Sequence, residues 1–311
     1  MLSFGWKRKG TKGTLSVVIQ RHGVELAYVV TDPSGPVLKG CQFVPTTDPK
    51  NSVSDIVKAI QQLGAENAGV NLVLPPEGYQ IFLVEAPDVS DAEMIDALRW
   101  RVKDLLQYSV EDAQLDYVSL PEDAFRGRGR MMYVIAAKCE LIQGWLNWLG
   151  QMALEPAVID VPETALLNIT APLCDEEAGT AVLYLSSPSS VLNLMSGQAM
   201  YLTRQLALDV QQSEEIQAAQ TGNVVLDLQR SLDYYESQIG KPPCVRVLLL
   251  PMQVGETALI TDLRYNLGLD IHSLDLADVV NAEVTLDIEL QQNCLLSIAA
   301  AMRNPEKRDV A

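Results

Sequence analysis

Two apolar runs, residues 14–20 and 24–30, flank the polar corner Gln20-Arg21-His22-Gly23. Their β-branched content and the corner glycine predict a hairpin. A turn at 32–36 (DPSGP) and a strand around 37–44 would extend it to a meander. Between 53 and 64, Val53, Ile56, Val57, Ile60 and Leu63 recur at helical spacing, and Gly64 closes the helix. GVNLVLPP (69–76) is apolar throughout and ended by prolines, the pattern of a buried central strand.

The pattern changes at residue 79. YQIFLVEAP reads as a strand, and Ser90 with Glu93 forms an S-x-x-E capping box opening a helix over 91–106. Met94, Leu98, Val102 and Leu105 continue one face of that helix, and Arg99, Arg101, Lys103 and Asp104 read as a solvated, ion-paired face. QLDYVSLP and MMYVIAAK (131–138) alternate like paired strands across the basic loop FRGRGR (125–130). CELIQGWLNWLGQMAL is a further helix whose Trp145, Trp148 and Leu149 stripe reads as core rather than as a ligand box. Residues 79–155 therefore predict a βαββα insert. A strand and a helix follow in AVIDVPETALLNI.

After APLCDEEAGT the opening pattern recurs. AVLYLSSPSSVLNLMSGQAMYLTRQLAL predicts a hairpin and a third strand, 211–238 a helix, 245–251 a strand, and ETALITDLRYNLGL a helix closed by Gly268. NCLLSIAAAMR is an apolar helix suited to packing on the first half. Hairpin, strand, helix and strand thus occur twice, which predicts a duplicated α/β unit.

Composition narrows the function. The 311 residues carry 23 basic and 40 acidic side chains, a formal charge of −17 that disfavours broad nucleic-acid binding. Five scattered cysteines without a CxxC pair read as incidental thiols of a reducing compartment, and two histidines leave no basis for a histidine metal site. No run reaches the ~18 apolar residues a membrane span requires. The start, with Phe4 and Trp6 beside Lys7, Arg8 and Lys9, lacks a secretory apolar core; it is either a solvated terminus or a contact with anionic lipid. FRGRGR offers the same two readings. Acidic groups at 175–177 and 214–215 read as solvated edges, and no G-x-S-x-G or P-loop motif occurs.

LRWRVKDLLQYSVEDAQLDY, LEPAVIDVPETALLNI, LQRSLDYYES and SIAAAMR carry a resemblance. Through them the chain resembles the actin-like pilus assembly proteins of the PilM type, most closely their MSHA-pilus (MshI-type) branch. It is also similar to the GspL cytoplasmic domain. The resemblance implies an actin-like (ribonuclease H-like, duplicated) α/β fold with an inserted βαββα subdomain. Its divisions would be a basic tail 1–13, first-half segments 14–78 and 156–176, the insert 79–155, a second half 177–294, and a closing helix and tail 295–311.

An active actin-like fold holds ATP between its halves on three loops. Intact members read roughly I-D-I-G in the first hairpin, where the carboxylate orients hydrated Mg²⁺ and glycine admits phosphate. Here Val18 stands at the Asp position and Gln20 at the Gly position; Tyr184 and Ser186 replace the Asp and Gly of the second hairpin, and Pro251 and Met252 replace the glycines of the adenosine loop. The expectation is a degenerate site, no cofactor and no enzymatic activity. The alternatives are an ATP-binding switch or weak ATPase, or direct phosphate binding by Arg21 and His22. The resemblance further implies a cytoplasmic scaffold at the inner face of the inner membrane. Its partner would be a PilN-like bitopic protein whose N-terminal tail lies in a groove beside the insert, with an assembly ATPase as a further contact. Phe82, Met94, Leu98 and Trp100 are the candidate anchors.

Overall fold

Each apolar hairpin seeds its own sheet. The computed structural model describes residues 2–3, 13–125, 127, 129–175 and 177–303; the aromatic-basic stretch 4–12 and the arginines at 126 and 128 lie outside them. The first half contains β1 (Leu2–Ser3), β2 (Thr14–Gln20), β3 (Gly23–Asp32), β4 (Gly35–Pro45), α1 (Val53–Gln62) and β5 (Gly69–Val73). Then come β6 (Tyr79–Glu85), α2 (Asp91–Val102), β7 (Ala113–Ser119), β8 (Met131–Lys138) and α3 (Cys139–Gly150), followed by β9 (Pro156–Asp160), α4 (Pro162–Ala165) and α5 (Leu167–Thr170). The second half is β10 (Gly179–Tyr184), β11 (Ser190–Ser196), β12 (Ala199–Leu206), α6 (Glu214–Tyr234), β13 (Cys244–Leu250), α7 (Ala258–Leu267), β14 (Asp270–Ser273) and α8 (Ile288–Ala301).

The sheet orders are β1-β9-β5-β2-β3-β4 and β12-β11-β10-β13-β14. Apart from β1, the second reverses the first element for element: antiparallel β2-β3-β4 corresponds to β10-β11-β12, and parallel β5 and β9 to β13 and β14. The duplication predicted from the pattern is therefore present in the strand order. At the first corner Gly23 is required by crowding: a Cβ there would sit 2.3 Å from the Phe43 ring and 2.6 Å from the Val44 carbonyl.

Between these sheets stands a third, β6-β8-β7. Period-2 alternation decides its faces. Phe82, Val84, Leu115, Met132, Val134 and Ala136 meet Met94, Leu98 and Val102 of α2 in a small core. The opposite face, with Ile81, Tyr133, Ile135 and Ala137, joins the cores of the two halves. Helix α3 buries Ile142, Trp148 and Leu149 in the first-half core. Trp148 Nε1 donates to the Pro49 carbonyl at 3.0 Å, and Trp145 packs edge-on to it with centroids 5.6 Å apart.

Helix α8 is the keel. Cys294 through Ala301 are buried, and the small side chains of Ser297, Ala299, Ala300 and Ala301 let β2, β3 and β5 approach closely. Polar side chains of the first half meet its backbone: the Ser16 hydroxyl donates to Ser297 C=O, and the Asn71 and Asn168 amides donate to Ala300 and Ala299 C=O, each at 3.1 Å. The Asn168 amide thereby satisfies the Ala299 carbonyl of the last turn, one of those a helix leaves without an intrahelical partner.

Three local expectations need correction. The Ser90 hydroxyl donates to the Glu93 carboxylate at 2.7 Å rather than accepting a backbone N–H, and Glu93 N–H reaches the Ser90 carbonyl. Helix α2 stops at Val102, short of 106. Arg99 belongs to the ionic face only in part: its Nε lies 4.0 Å from Asp96 Oδ1 at i,i+3, while its Nη1 donates to the carbonyls of Val110 and Ala113, both at 3.0 Å, and so staples the segment leading into β7.

Candidate functional site

Two concavities are set by this architecture. The first is a cleft of about 310 Å³ between the halves. The β2–β3 corner supplies Gln20, Arg21, His22 and Glu25, the end of β10 supplies Tyr184 and Ser186, and Pro251 follows β13. The three loops singled out in the sequence therefore converge. Gln20, Tyr184, Ser186 and Pro251 line the space; Val18 lies behind it in the core, and the Met252 carbonyl accepts from Gln292 at 3.1 Å.

Sequence reasoning missed the two carboxylates here. Glu25 is paired directly across the ladder from Val18 and is 4% exposed. Its Oε1 accepts from Gln20 Nε2 at 2.8 Å, and its Oε2 from Ser297 N–H of α8 at 2.9 Å. Burial pushes its pKa up to about 7, against the opposing effect of these hydrogen bonds. Tyr184 is raised well above the ordinary phenol value by burial and then by the Glu25 charge. Asp209, just after β12, is buried too. Burial works against its ionisation, but hydrogen bonds from Gln212 and the Gln211 N–H, with the Arg21 charge, keep its pKa below the usual value. Arg21 Nη1 lies 3.4 Å from Asp209 Oδ2.

The donor set limits what this cleft can hold. Glu25 is committed to Gln20 and α8, and Asp209 to Arg21 and its own loop, so neither carboxylate is free for a magnesium hydration shell. Arg21 brings its counter-charge with it. Carboxamides and serines make up much of the remaining polar wall, and no glycine lines it. Among the described residues no cluster of His, Cys, Asp and Glu has the arrangement of a metal site.

The second concavity is a small apolar crevice where the insert meets the first half. Leu74, Ile159 and Val161 line one side, and Gln114, Asp116, Ile135 and Ala137 the other. None of the four predicted anchors is there. Phe82 is one residue out of phase with Ile81 and so points at α2; Met94 (3% exposed) and Leu98 (0%) are buried beneath it. They hold the insert together and cannot present themselves to a partner. Trp100 is the exception, 77% exposed with Lys103 Nζ 5.5 Å from its ring centroid.

The fold is actin-like. No protein-family model matches the chain, and no curated protein matches its sequence. Solved structures do: a PilM–PilN type IV pilus biogenesis complex superposes with a TM-score of 0.75 at 20% identity, over 93% of this chain and 97% of that one. The cytoplasmic domain of EpsL, an inner-membrane component of the type II secretion system of Vibrio cholerae, gives 0.52 at 13% identity, over 94% and 95%. A Bacteroides thetaiotaomicron protein with an actin-like ATPase fold and unknown function gives 0.55 at 10%, over 95% and 98%. Among the described residues no helix is long and apolar enough to cross a membrane.

Proposed function

We propose that this chain is a non-enzymatic scaffold of a type IV pilus assembly platform, of the MSHA (MshI-type) kind. It would hold the N-terminal cytoplasmic tail of a PilN-like inner-membrane protein and so reside at the inner face of that membrane. The observation that carries the reading is the apolar crevice between insert and first half, in a fold shared with a PilM–PilN complex across nearly its whole length. A disordered tail suits such a site, because a few apolar anchors and backbone hydrogen bonds suffice to order it. Of the crevice lining, the half-buried Ile135, Gln114 and Asp116 would then face the tail, rather than Met94 and Leu98.

Fluorescence polarisation with a labelled tail peptide of a PilN-like protein tests this. Burying one apolar anchor contributes roughly 1.5–3 kcal/mol, about ten- to a hundredfold in affinity. Gln114→Trp, which crowds the crevice from its half-exposed edge, should weaken binding by about that factor with little change in melting. Ile135→Gln should weaken it as well and also lower the melting transition, because Ile135 packs on the first-half core. Full affinity in both folded variants would place the tail elsewhere.

The scaffold reading includes a cleft without nucleotide. Glu25 lines the cleft as a buried acid held by Gln20 and α8, and the cleft's arginine is already paired with Asp209, so among the described residues no free lysine or arginine cation is offered to a polyphosphate. Calorimetric titration with Mg·ATP should give no saturable heat. Micromolar binding would instead favour the switch or ATPase reading, which the size of the cleft supports.

A further inference from the structure

The second half is tied to the rest of the chain at several places besides α8. Phe125, buried at φ 59° in the β7–β8 connection, meets Tyr234 of α6 edge-on with centroids 6.0 Å apart. Asp123 accepts from Tyr201 Oη at 2.8 Å and from Lys241, and Thr203 N–H donates to Tyr133 Oη at 3.0 Å. Glu163 of α4 accepts from Tyr79 Oη of the insert at 2.6 Å and from Gln205 Nε2 of the second half at 3.1 Å. Across the cleft from one another lie two segments, the hairpin corner 20–23 and the loop 208–212.

Both segments are set before they meet. Asp209 Oδ1 accepts Gln211 N–H at 3.0 Å, its Oδ2 accepts Gln212 Nε2 at 3.1 Å, and its own N–H donates to Gln220 Oε1 at 3.3 Å. The corner is braced by Gln20 on Glu25 and Glu25 on α8. The side chains that join the two segments are Arg21 and Asp209, 53% and 7% exposed. Because the carboxylate is buried and held by its own loop, little ordering remains to be done when the arginine arrives. That separates this pair from a surface salt bridge between two free side chains.

We propose that Arg21 and Asp209 form an internal latch, closing the cleft between the halves and taking the place of a bridging ligand. The closed arrangement is then a property of the chain itself. The inference rests on the cleft alone and is independent of where a tail binds.

Hydrogen exchange on the full chain tests it. Arg21 is half exposed, so its replacement leaves the core untouched. Arg21→Ala should speed exchange in 208–212 and 20–25 by about threefold to tenfold, and Arg21→Glu, which faces Asp209 with a like charge, by more. Arg21→Lys should keep most of the protection. β7 and β8 should exchange as in the parent chain in all three. The latch is refuted if Ala and Glu leave 208–212 at the parent rate, or if exchange rises uniformly along the chain.

Discussion

Leu98→Ala should lower stability by about 2–5 kcal/mol, while Trp100→Ala, two residues along the same helix, should stay within about 0.5 kcal/mol. Leu98 is wholly buried in the small core formed by α2 on the β6-β8-β7 sheet, and its removal leaves a cavity among Val84, Leu115, Met132 and Val134. Trp100 projects into solvent and contacts Lys103. A core with so few buried side chains has little slack to refill the space, which favours the upper part of the range. Chemical denaturation followed by a probe in the insert reads the difference. Equal losses at the two positions would mean that α2 is rotated relative to the sheet. The same pair bears on the tail: a variant that unfolds the insert abolishes binding for the wrong reason, so Leu98 is no test of the crevice.

That contrast shows where sequence reasoning worked and where it stopped. Elements with strong periodicity were legible: both hairpins, the βαββα run and the closing helix lie where the apolar pattern put them. Their faces were not legible, because alternation identifies two sides of a strand without saying which neighbour each side meets. In β6 both Ile81 and Phe82 are apolar and both pack, one toward the halves and the other toward α2. Short or polar elements escaped as well. β14 buries one of its four residues, and α8 begins at Ile288, ahead of the apolar run from Asn293 that betrayed it. The cleft followed a similar course. Its loops could be found by their resemblance to nucleotide-binding loops, and four of the six residues replacing those signatures, Gln20, Tyr184, Ser186 and Pro251, do converge. Glu25 had one visible signal, a lone acid inside the apolar run Val24–Val30. Asp209 had none, since its partner lies 188 positions away.

Glu25→Gln is expected to stabilise the protein at pH 8 by about 1–3 kcal/mol and to have almost no effect at pH 4.5. The sign follows from burial. In the unfolded chain this glutamate titrates near 4.5, in the folded chain at about 7. Between those values the folded state binds more protons than the unfolded one, so stability falls as pH rises through the window and is level above it. Below the window both states are protonated and the charge costs nothing. A shift of that size corresponds to about 3 kcal/mol. Part of it returns as loss in the variant, because the carboxylate accepts Ser297 N–H and Gln20 Nε2 as charge-assisted bonds, whereas the amide accepts Ser297 N–H through its one oxygen as a neutral bond and presents an NH₂ donor to Gln20. Rotation of the Gln20 carboxamide lets its oxygen face the new NH₂, so no buried donor is stranded. Glu163, also raised by burial, titrates in the same sense in parent and variant. The readout is therefore the difference between their urea midpoints from pH 4.5 to 8, which should widen as pH rises. A difference that stays constant or narrows would mean that Glu25 ionises as an ordinary surface acid. Its place opposite Val18 gives the cost a structural reason: the carboxylate on this hairpin faces helix α8, and the energy of burying it is spent on holding the keel to the first sheet.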